Sequence, residues 1–323
     1  MNDTLLNVEN LNIFFKSDKN PEPIHAVRDL SFSLKQGEML GVVGESGSGK
    51  SITNLALMGI LGDSAIIKAQ ECTFNNKNLL NLSEKEWQKV RGGEISMIFQ
   101  DPMTALNPFL TVEFQLVETI LAHIDCSKKE ARERAIDLLS QVGITSPADR
   151  LKAYPFELSG GMAQRVMIAM AISTSPKLLI ADEPTTALDV TIQKQILMLI
   201  KSLQIKNNMS VILVTHDLGV VSEFSERVQV MYAGEIVETA ETKKLITYPH
   251  HPYTYGLLSS RPGAIETKPK SELPSIPGIV PAFHHRPAGC QFNPRCTNAQ
   301  NDCLNQTIII ENGLRCLHPM AEK

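Results

Sequence analysis

The chain has 323 residues and a mass of 35.6 kDa, with 43% hydrophobic and 20% charged residues, 19 Gly and 18 Pro; it has room for one large domain with an appendage, and its composition excludes collagen-like, low-complexity and disordered classes. A net charge of −4, with 31 Lys and Arg dispersed along the chain, argues against a nucleic-acid binder. No stretch reaches the roughly 18–20 uncharged apolar residues of a bilayer crossing, and MNDTLLNVEN lacks the basic-then-apolar secretory order, so the chain is expected in the cytoplasm.

Up to about Tyr248, short apolar runs alternate with longer amphipathic stretches, the pattern of an α/β domain with a mainly parallel sheet. Residues 39–43 (MLGVV) read as the first buried strand. GESGSGKS at 44–51 follows, fits G-x-x-x-x-G-K-[ST], and runs into the helical stretch SITNLALMGIL, the context this motif requires. Gly44, Glu45, Ser46, Gly47, Ser48 and Gly49 would turn successive N–H groups toward phosphate oxygens at a helix N-terminus. Lys50 would neutralise the β and γ phosphates and Ser51 would ligate Mg²⁺, with Thr53 counted among the nucleotide-binding residues. Alone, such a loop says only that a nucleotide is bound, since kinases, GTPases and many ATPases share it.

The next buried run, 95–99 (ISMIF), ends at Gln100. Between Asp101 and Ser175 the strand signal disappears, and SKKEARERAIDLLSQVG carries apolar residues at helical spacing, closed by Gly143 as a C-cap. This predicts a helical subdomain over about 101–175, inserted in the sheet domain. Within it lies LSGGMAQR, 158–165: Ser159, Gly160 and Gly161 open the helical run MAQRVMIAMAIS and make a second helix N-terminus able to hold an anion, with Gln164 grouped beside it. The run 177–181 (KLLIA) delivers Asp182 and Glu183 at a strand end, the first to hold Mg²⁺ and the second to take a proton from, or orient, an attacking water. The run 210–215 (SVILVT) delivers His216 in the same way. RVQVMYAGEIVE reads as a hairpin about Ala233 and Gly234 at the sheet edge.

After about Arg261 the character changes. Eight of the 18 prolines fall in the last 62 residues, together with Cys290, Cys296, Cys303 and Cys316, so 261–323 is expected to be a small module beside a nucleotide-binding domain at 1–260. The spacing C-x5-C-x6-C-x12-C leaves open a metal site, a disulfide pair or unrelated thiols. Disulfides are disfavoured in a reducing cytoplasm. The wide gaps and stiff loops at Pro287, Pro294 and Pro319 suit a cluster better than a single zinc in tight knuckles. Cys72 and Cys126 have no metal spacing and read as ordinary thiols.

With two phosphate-binding ends in one chain, the sequence resembles the ATP-binding-cassette (ABC) family. That resemblance implies a P-loop NTPase fold of ABC type: a mainly parallel core sheet, an antiparallel edge subdomain, an inserted helical subdomain and a Cys/Pro-rich extension. It places 44–51 as Walker A, Asp182 and Glu183 as Walker B, Ser159, Gly160 and Gly161 as the signature, Gln100 as the Q-loop, Ala187, Leu188 and Asp189 as the D-loop, and His216 as the switch histidine. Phe15 in LNIFFKS matches the adenine-stacking aromatic, with Phe14 its adjacent competitor. Catalysis then falls to Glu183, His216 and Gln100, and Mg²⁺ to Ser51, Gln100 and Asp182.

FQDPMTALNP, LLIADEPTTALDVTIQ, HPYTYGLL, SIPGIVP and RPAGCQFNPRC read like the ATPase subunits of peptide importers, with Ala163 the one departure in the signature helix. The resemblance therefore implies an ATP-hydrolysing, energy-coupling subunit of a bacterial importer for dipeptides or other short peptides, peripheral on the cytoplasmic face of the inner membrane. Implied partners are a homologous ATPase subunit forming a heterodimer, two transmembrane permeases and a periplasmic or lipoprotein peptide-binding protein. It also implies a 4Fe-4S cluster on the four clustered cysteines, with Zn²⁺ as the alternative. The same engine could serve oligopeptides, nickel or cationic peptides. A non-transport ATPase of DNA repair or translation is the remote alternative, because such proteins carry tandem cassettes or long coiled coils and this chain has neither.

Overall fold

The computed structural model describes residues 3–17, 20–186, 188–260 and 275–320; Ala187 of the expected D-loop and the start of the expected extension lie outside the described residues. In chain order the strands are β1 (Thr4–Ser17), β2 (Asn20–Lys35), β3 (Met39–Val43), β4 (Ala65–Lys68), β5 (Glu71–Phe74), β6 (Lys77–Asn78), β7 (Ile95–Ile98), β8 (Leu178–Asp182), β9 (Ser210–Thr215), β10 (Arg227–Tyr232) and β11 (Glu235–Glu241). The helices are α1 (Lys50–Leu57), α2 (Glu84–Val90), α3 (Pro102–Ala105), α4 (Val112–His123), α5 (Lys128–Gln141), α6 (Pro147–Arg150), α7 (Gly160–Ile172), α8 (Val190–Asn207), α9 (Leu218–Phe224), α10 (Thr242–Thr247) and α11 (Pro252–Ser259). None of them is long and apolar enough to cross a membrane.

Two compact units are formed. The first comprises Lys35–Met39 and Asn81–Val214. Its strands β7, β8 and β9 run parallel, with Ile95 opposite Leu178 and Leu178 opposite Ser210. Every residue of these strands is buried, which is why they read as unbroken apolar runs instead of alternating ones. The insertion expected after Gln100 is helical as predicted, and α4, α5 and α7 pack together. A capping box starts α5, where Ser127 N–H donates to Glu130 at 2.7 Å. Gly143 stops it in the left-handed region, φ +78°. From α5, the Arg134 guanidinium donates to the Ser173 carbonyl at 3.1 and 2.8 Å and so ties off the end of α7.

The second unit comprises Asn2–Leu34, Leu40–Leu80 and Thr215–Lys323. One of its sheets is antiparallel, in the order β2-β1-β5-β6 with β4 also paired to β1. This is the antiparallel edge subdomain that the resemblance implied. Its other sheet portion runs β3 parallel to β10, with β11 antiparallel at the far side of β10. Ala233 and Gly234 form the expected two-residue turn, both at positive φ (+47° and +88°). Gly234 is required there, since any Cβ would collide with the Ala26 carbonyl oxygen. The core of this unit gathers Val43, Val228, Val230, Tyr232, Leu245 and Tyr253, and Phe292 from beyond residue 275 is part of it.

Candidate functional site

In the second unit, β3 runs into the glycine loop and α1. Gly44 has no room for a side chain, because a Cβ would collide with the Met231 carbonyl oxygen. Gly47 and Gly49 sit at φ +80° and +99°, so these two turns depend on glycine. The loop closes on itself through Ser48 N–H to the Glu45 carbonyl (3.2 Å) and is tied to the β10–β11 turn by Gly234 N–H to the Ser48 carbonyl (2.9 Å). Lys50 is 6% exposed, and its Nζ donates to the carbonyls of Gly44 (2.7 Å) and Glu45 (3.0 Å) and to Ser48 Oγ (3.3 Å). The ammonium is thus held in the loop's concavity. Ser51 is exposed at the first turn of α1, whereas Thr53 is buried and its hydroxyl donates to the Gly49 carbonyl at 3.0 Å. His216, after β9, is exposed, and the following Asp217 caps α9 through the Gly219 N–H (2.6 Å).

The two candidate aromatics separate cleanly. Neighbouring residues of a strand point to opposite faces, and Phe14 is already stacked on His25 at 4.1 Å between centroids, with Lys68 Nζ 5.8 Å from its ring centre. Phe15 is half-buried on the other face of β1, opposite Ala65.

In the first unit, β8 ends at the buried Asp182, and Glu183 follows in the left-handed region at φ +47°. Its N–H donates to the Val214 carbonyl (3.0 Å), and its Oε2 accepts from Gln100 Nε2 (3.1 Å) and from Thr186 Oγ1 (3.0 Å). The acidic residue that the sequence assigns to the attacking water is therefore aimed by the residue assigned to the Q-loop. Ser159 is the N-cap of α7, its Oγ accepting from Met162 N–H (3.4 Å), with Gly160 and Gly161 opening the helix. Asp189 caps α8 through the Ile192 N–H at 3.0 Å. Gln164 lies within α7 and is 1% exposed.

One connection was not anticipated. Glu45, at the second position of the glycine loop, receives Arg295 in a bidentate pair (2.7 and 3.0 Å) and donates its N–H to the Tyr253 hydroxyl (2.9 Å). Both partners lie in phrases that mark the peptide-importer resemblance, HPYTYGLL and RPAGCQFNPRC. No spacing rule links position 45 with 295.

None of the six cysteines is in a disulfide. Cys290 is joined to Cys303 by its N–H to the Cys303 carbonyl (2.9 Å), and Asn293 Nδ2 reaches the Cys290 carbonyl (2.8 Å). Burial pushes the Cys290 thiol up to about 12, with Cys316, Cys296 and Cys303 adding to the effect; burial likewise lifts Cys316 to about 11 and raises Cys296. The four thiols thus lie within electrostatic reach of one another. Asp302, Cys303 and His318 offer donor atoms within 4.8 Å, but His318 Nε2 already pairs with the Asp302 carboxylate at 2.8 Å.

Residues 27–186 match the family model of the ABC transporter, and residues 237–303 match the C-terminal region of oligopeptide/dipeptide transporters. The chain is 52% identical to the dipeptide transport ATP-binding protein DppD of Escherichia coli over 299 residues, covering 93% of this chain and 90% of that one. The chain is an ABC transporter ATPase. It is also 51% identical to the oligopeptide transport ATP-binding protein AppD of Bacillus subtilis, covering 95% and 93% of the two chains. Among solved ABC structures, it is similar to a dimeric ATP-binding cassette bound to ADP and Pi in a post-hydrolysis state (TM-score 0.64, 29% identity, 73% of this chain and 98% of that one). It is likewise similar to cbiO1 of Clostridium perfringens, part of an ABC transporter complex (TM-score 0.64, 28% identity, 75% and 90%). As an ABC ATPase the chain uses ATP with Mg²⁺.

Proposed function

We propose that this ABC ATPase is the energy-coupling subunit of a bacterial importer of dipeptides and other short peptides, bound peripherally to the cytoplasmic face of the inner membrane. The observation that carries this reading is the joining of an ABC cassette to the oligopeptide/dipeptide C-terminal region in one chain, at 52% identity to a dipeptide transport ATP-binding protein. We assign 1–260 to the nucleotide-binding domain, with 101–175 as its helical subdomain, and 261–323 to the extension.

In this mechanism Phe15 stacks on the adenine, the loop N–H groups from Ser46 to Ser51 cradle the phosphates, and Lys50 exchanges its contacts with loop carbonyls for β and γ oxygens. Ser51, Asp182 and the Gln100 amide oxygen, all hard oxygen donors, would hold Mg²⁺, which would supply positive charge against the phosphates. The Gln100 Nε2 bond to Glu183 leaves that oxygen available and fixes the carboxylate that takes the water's proton. His216 contacts the γ-phosphate. Ser159, Gly160 and Gly161 supply the helix-end donors that complete a second ATPase subunit's site, so that ATP closes a heterodimer against two permeases, which receive peptide from an external binding protein.

We assign the four C-terminal cysteines to a structural 4Fe-4S cluster. Their unpaired state and mutual electrostatic reach support this reading. The Asp302, Cys303 and His318 grouping favours a single zinc as the second reading. For the substrate, the 51% identity to an oligopeptide transport subunit favours longer peptides as the second reading.

The test is uptake of a labelled dipeptide in a deletion strain. Uptake should vanish on deletion and return with the wild-type gene. Dominant competition by oligopeptide or nickel would move the substrate to those classes, and unimpaired uptake of all of them would overturn the transport reading.

A further inference from the structure

We propose that Arg295 and Tyr253 are positioning residues for ATP binding: from the C-terminal region, they clamp Glu45 and so hold the glycine loop in its phosphate-binding shape. The inference rests on the reading of 44–51 as the ATP phosphate loop.

Glu45 is engaged through every polar group it has. Its N–H donates to Tyr253 Oη (2.9 Å), its carboxylate accepts both arms of Arg295 (2.7 and 3.0 Å), and its carbonyl accepts from Ser48 N–H (3.2 Å) and Lys50 Nζ (3.0 Å). The last two are the groups that must meet phosphate. A shift of Glu45 therefore displaces a loop N–H and the loop lysine together.

The other end of the clamp is fixed as firmly. The Arg295 side chain is 4% exposed. Its Nε donates to the Pro277 carbonyl (2.8 Å), its Nη1 reaches Tyr232 Oη (3.4 Å), and its guanidinium stands 5.7 Å from the Tyr232 ring centre. Tyr253 and Tyr232 pack edge-on at 4.7 Å, and Phe292, three residues before Arg295, touches both at 5.3 and 5.2 Å. A bidentate pair between planar groups fixes orientation as well as distance, which a lysine would not do. Since Arg295 and Phe292 both lie between Cys290 and Cys296, the conformation of that cysteine loop bears on the phosphate loop through the Arg295–Glu45 pair and through Phe292 packed on Tyr253.

The experiment is a double-mutant cycle on the full chain, read by binding of a fluorescent ATP analogue. Arg295→Met and Glu45→Gln should each weaken binding about tenfold to a hundredfold, the range for a misplaced binding group. The double variant should be no weaker than either single one, because each breaks the same clamp. Arg295→Lys should fall between wild type and Arg295→Met. Tyr253→Phe keeps the ring packing and removes only the acceptor for the Glu45 amide, so it should weaken ATP binding with the thermal midpoint nearly unchanged; it also carries the test if Arg295→Met does not fold. Wild-type affinity in the folded single variants, or losses that multiply in the double variant, would overturn the clamp. Lys50→Ala separates the two readings: if it abolishes binding while the clamp variants bind normally, only the clamp fails, and if it too binds normally, the phosphate-loop reading fails with it.

Discussion

Replacing Glu183 with Gln removes one property and leaves the geometry in place. The hydrogen bonds from Gln100 Nε2 (3.1 Å) and Thr186 Oγ1 (3.0 Å) end on the same oxygen, Oε2. The amide oxygen of Glu183→Gln can accept both, so the turn at φ +47° and the Val214 contact persist. What is lost is the basic carboxylate. General-base assistance is worth about 10²- to 10⁴-fold in rate, or about 2.7–5.4 kcal/mol of barrier at 1.36 kcal/mol per decade. The assay is phosphate release in a single turnover by the chain assembled with its partner cassette, alongside ATP affinity measured with a fluorescent analogue. The expected outcome is hydrolysis slowed at least a hundredfold with ATP affinity undiminished, so that the ATP-bound pair accumulates in size-exclusion chromatography. Wild-type turnover would remove Glu183 from the chemistry, and lost ATP affinity would make it a structural residue.

Lys50→Ala should weaken ATP binding itself, measured by the same fluorescence titration, because it deletes the ammonium that the loop holds among the Gly44, Glu45 and Ser48 oxygens. Cys296→Ser should lower the metal content of anaerobically purified protein and its tail's resistance to proteolysis while leaving ATP binding of the cassette measurable; full metal retention would remove Cys296 from the ligand set. Burial holds His251 neutral, its pKa near 3 against 6.5 in the unfolded chain. Stability from this group is therefore complete above pH 6.5 and falls as pH drops from 6.5 toward 3, by about 1.4 kcal/mol per pH unit. His251→Asn keeps a cap for the Tyr253 N–H, which His251 Nδ1 accepts at 3.0 Å, and should flatten that slope by one proton in urea unfolding at pH 7, 6 and 5. His25, lowered to about 4 chiefly by burial, leaves part of the slope in place.

The parallel strands were legible because they are buried on both faces, so MLGVV, ISMIF, KLLIA and SVILVT stand out as unbroken apolar runs. Their ends were less so: Phe99 is exposed and falls outside β7, while Asp182 continues the ladder of β8 opposite Val214. Gly143 and the Ala233-Gly234 turn were readable since each needs positive φ, a local demand that sequence expresses directly. Which of Phe14 and Phe15 is covered was not readable, because it depends on His25, eleven residues from Phe14 and in β2. Burial of Gln164 follows from which side of α7 packs inward, and that helix is apolar around most of its circumference, so periodicity gave no direction. The Glu45–Arg295 pair spans 250 residues and depends on tertiary folding alone.

The most direct test of the central claim is simultaneous measurement of dipeptide uptake and phosphate release in right-side-out membrane vesicles containing an internal ATP-regenerating system. Vesicles from a deletion strain re-expressing the wild-type chain should accumulate dipeptide with ATP hydrolysis rising in proportion, and vesicles carrying Glu183→Gln at equal abundance should do neither. Dipeptide accumulation that continues in the Glu183→Gln vesicles, or hydrolysis that does not respond to peptide supply, would contradict it.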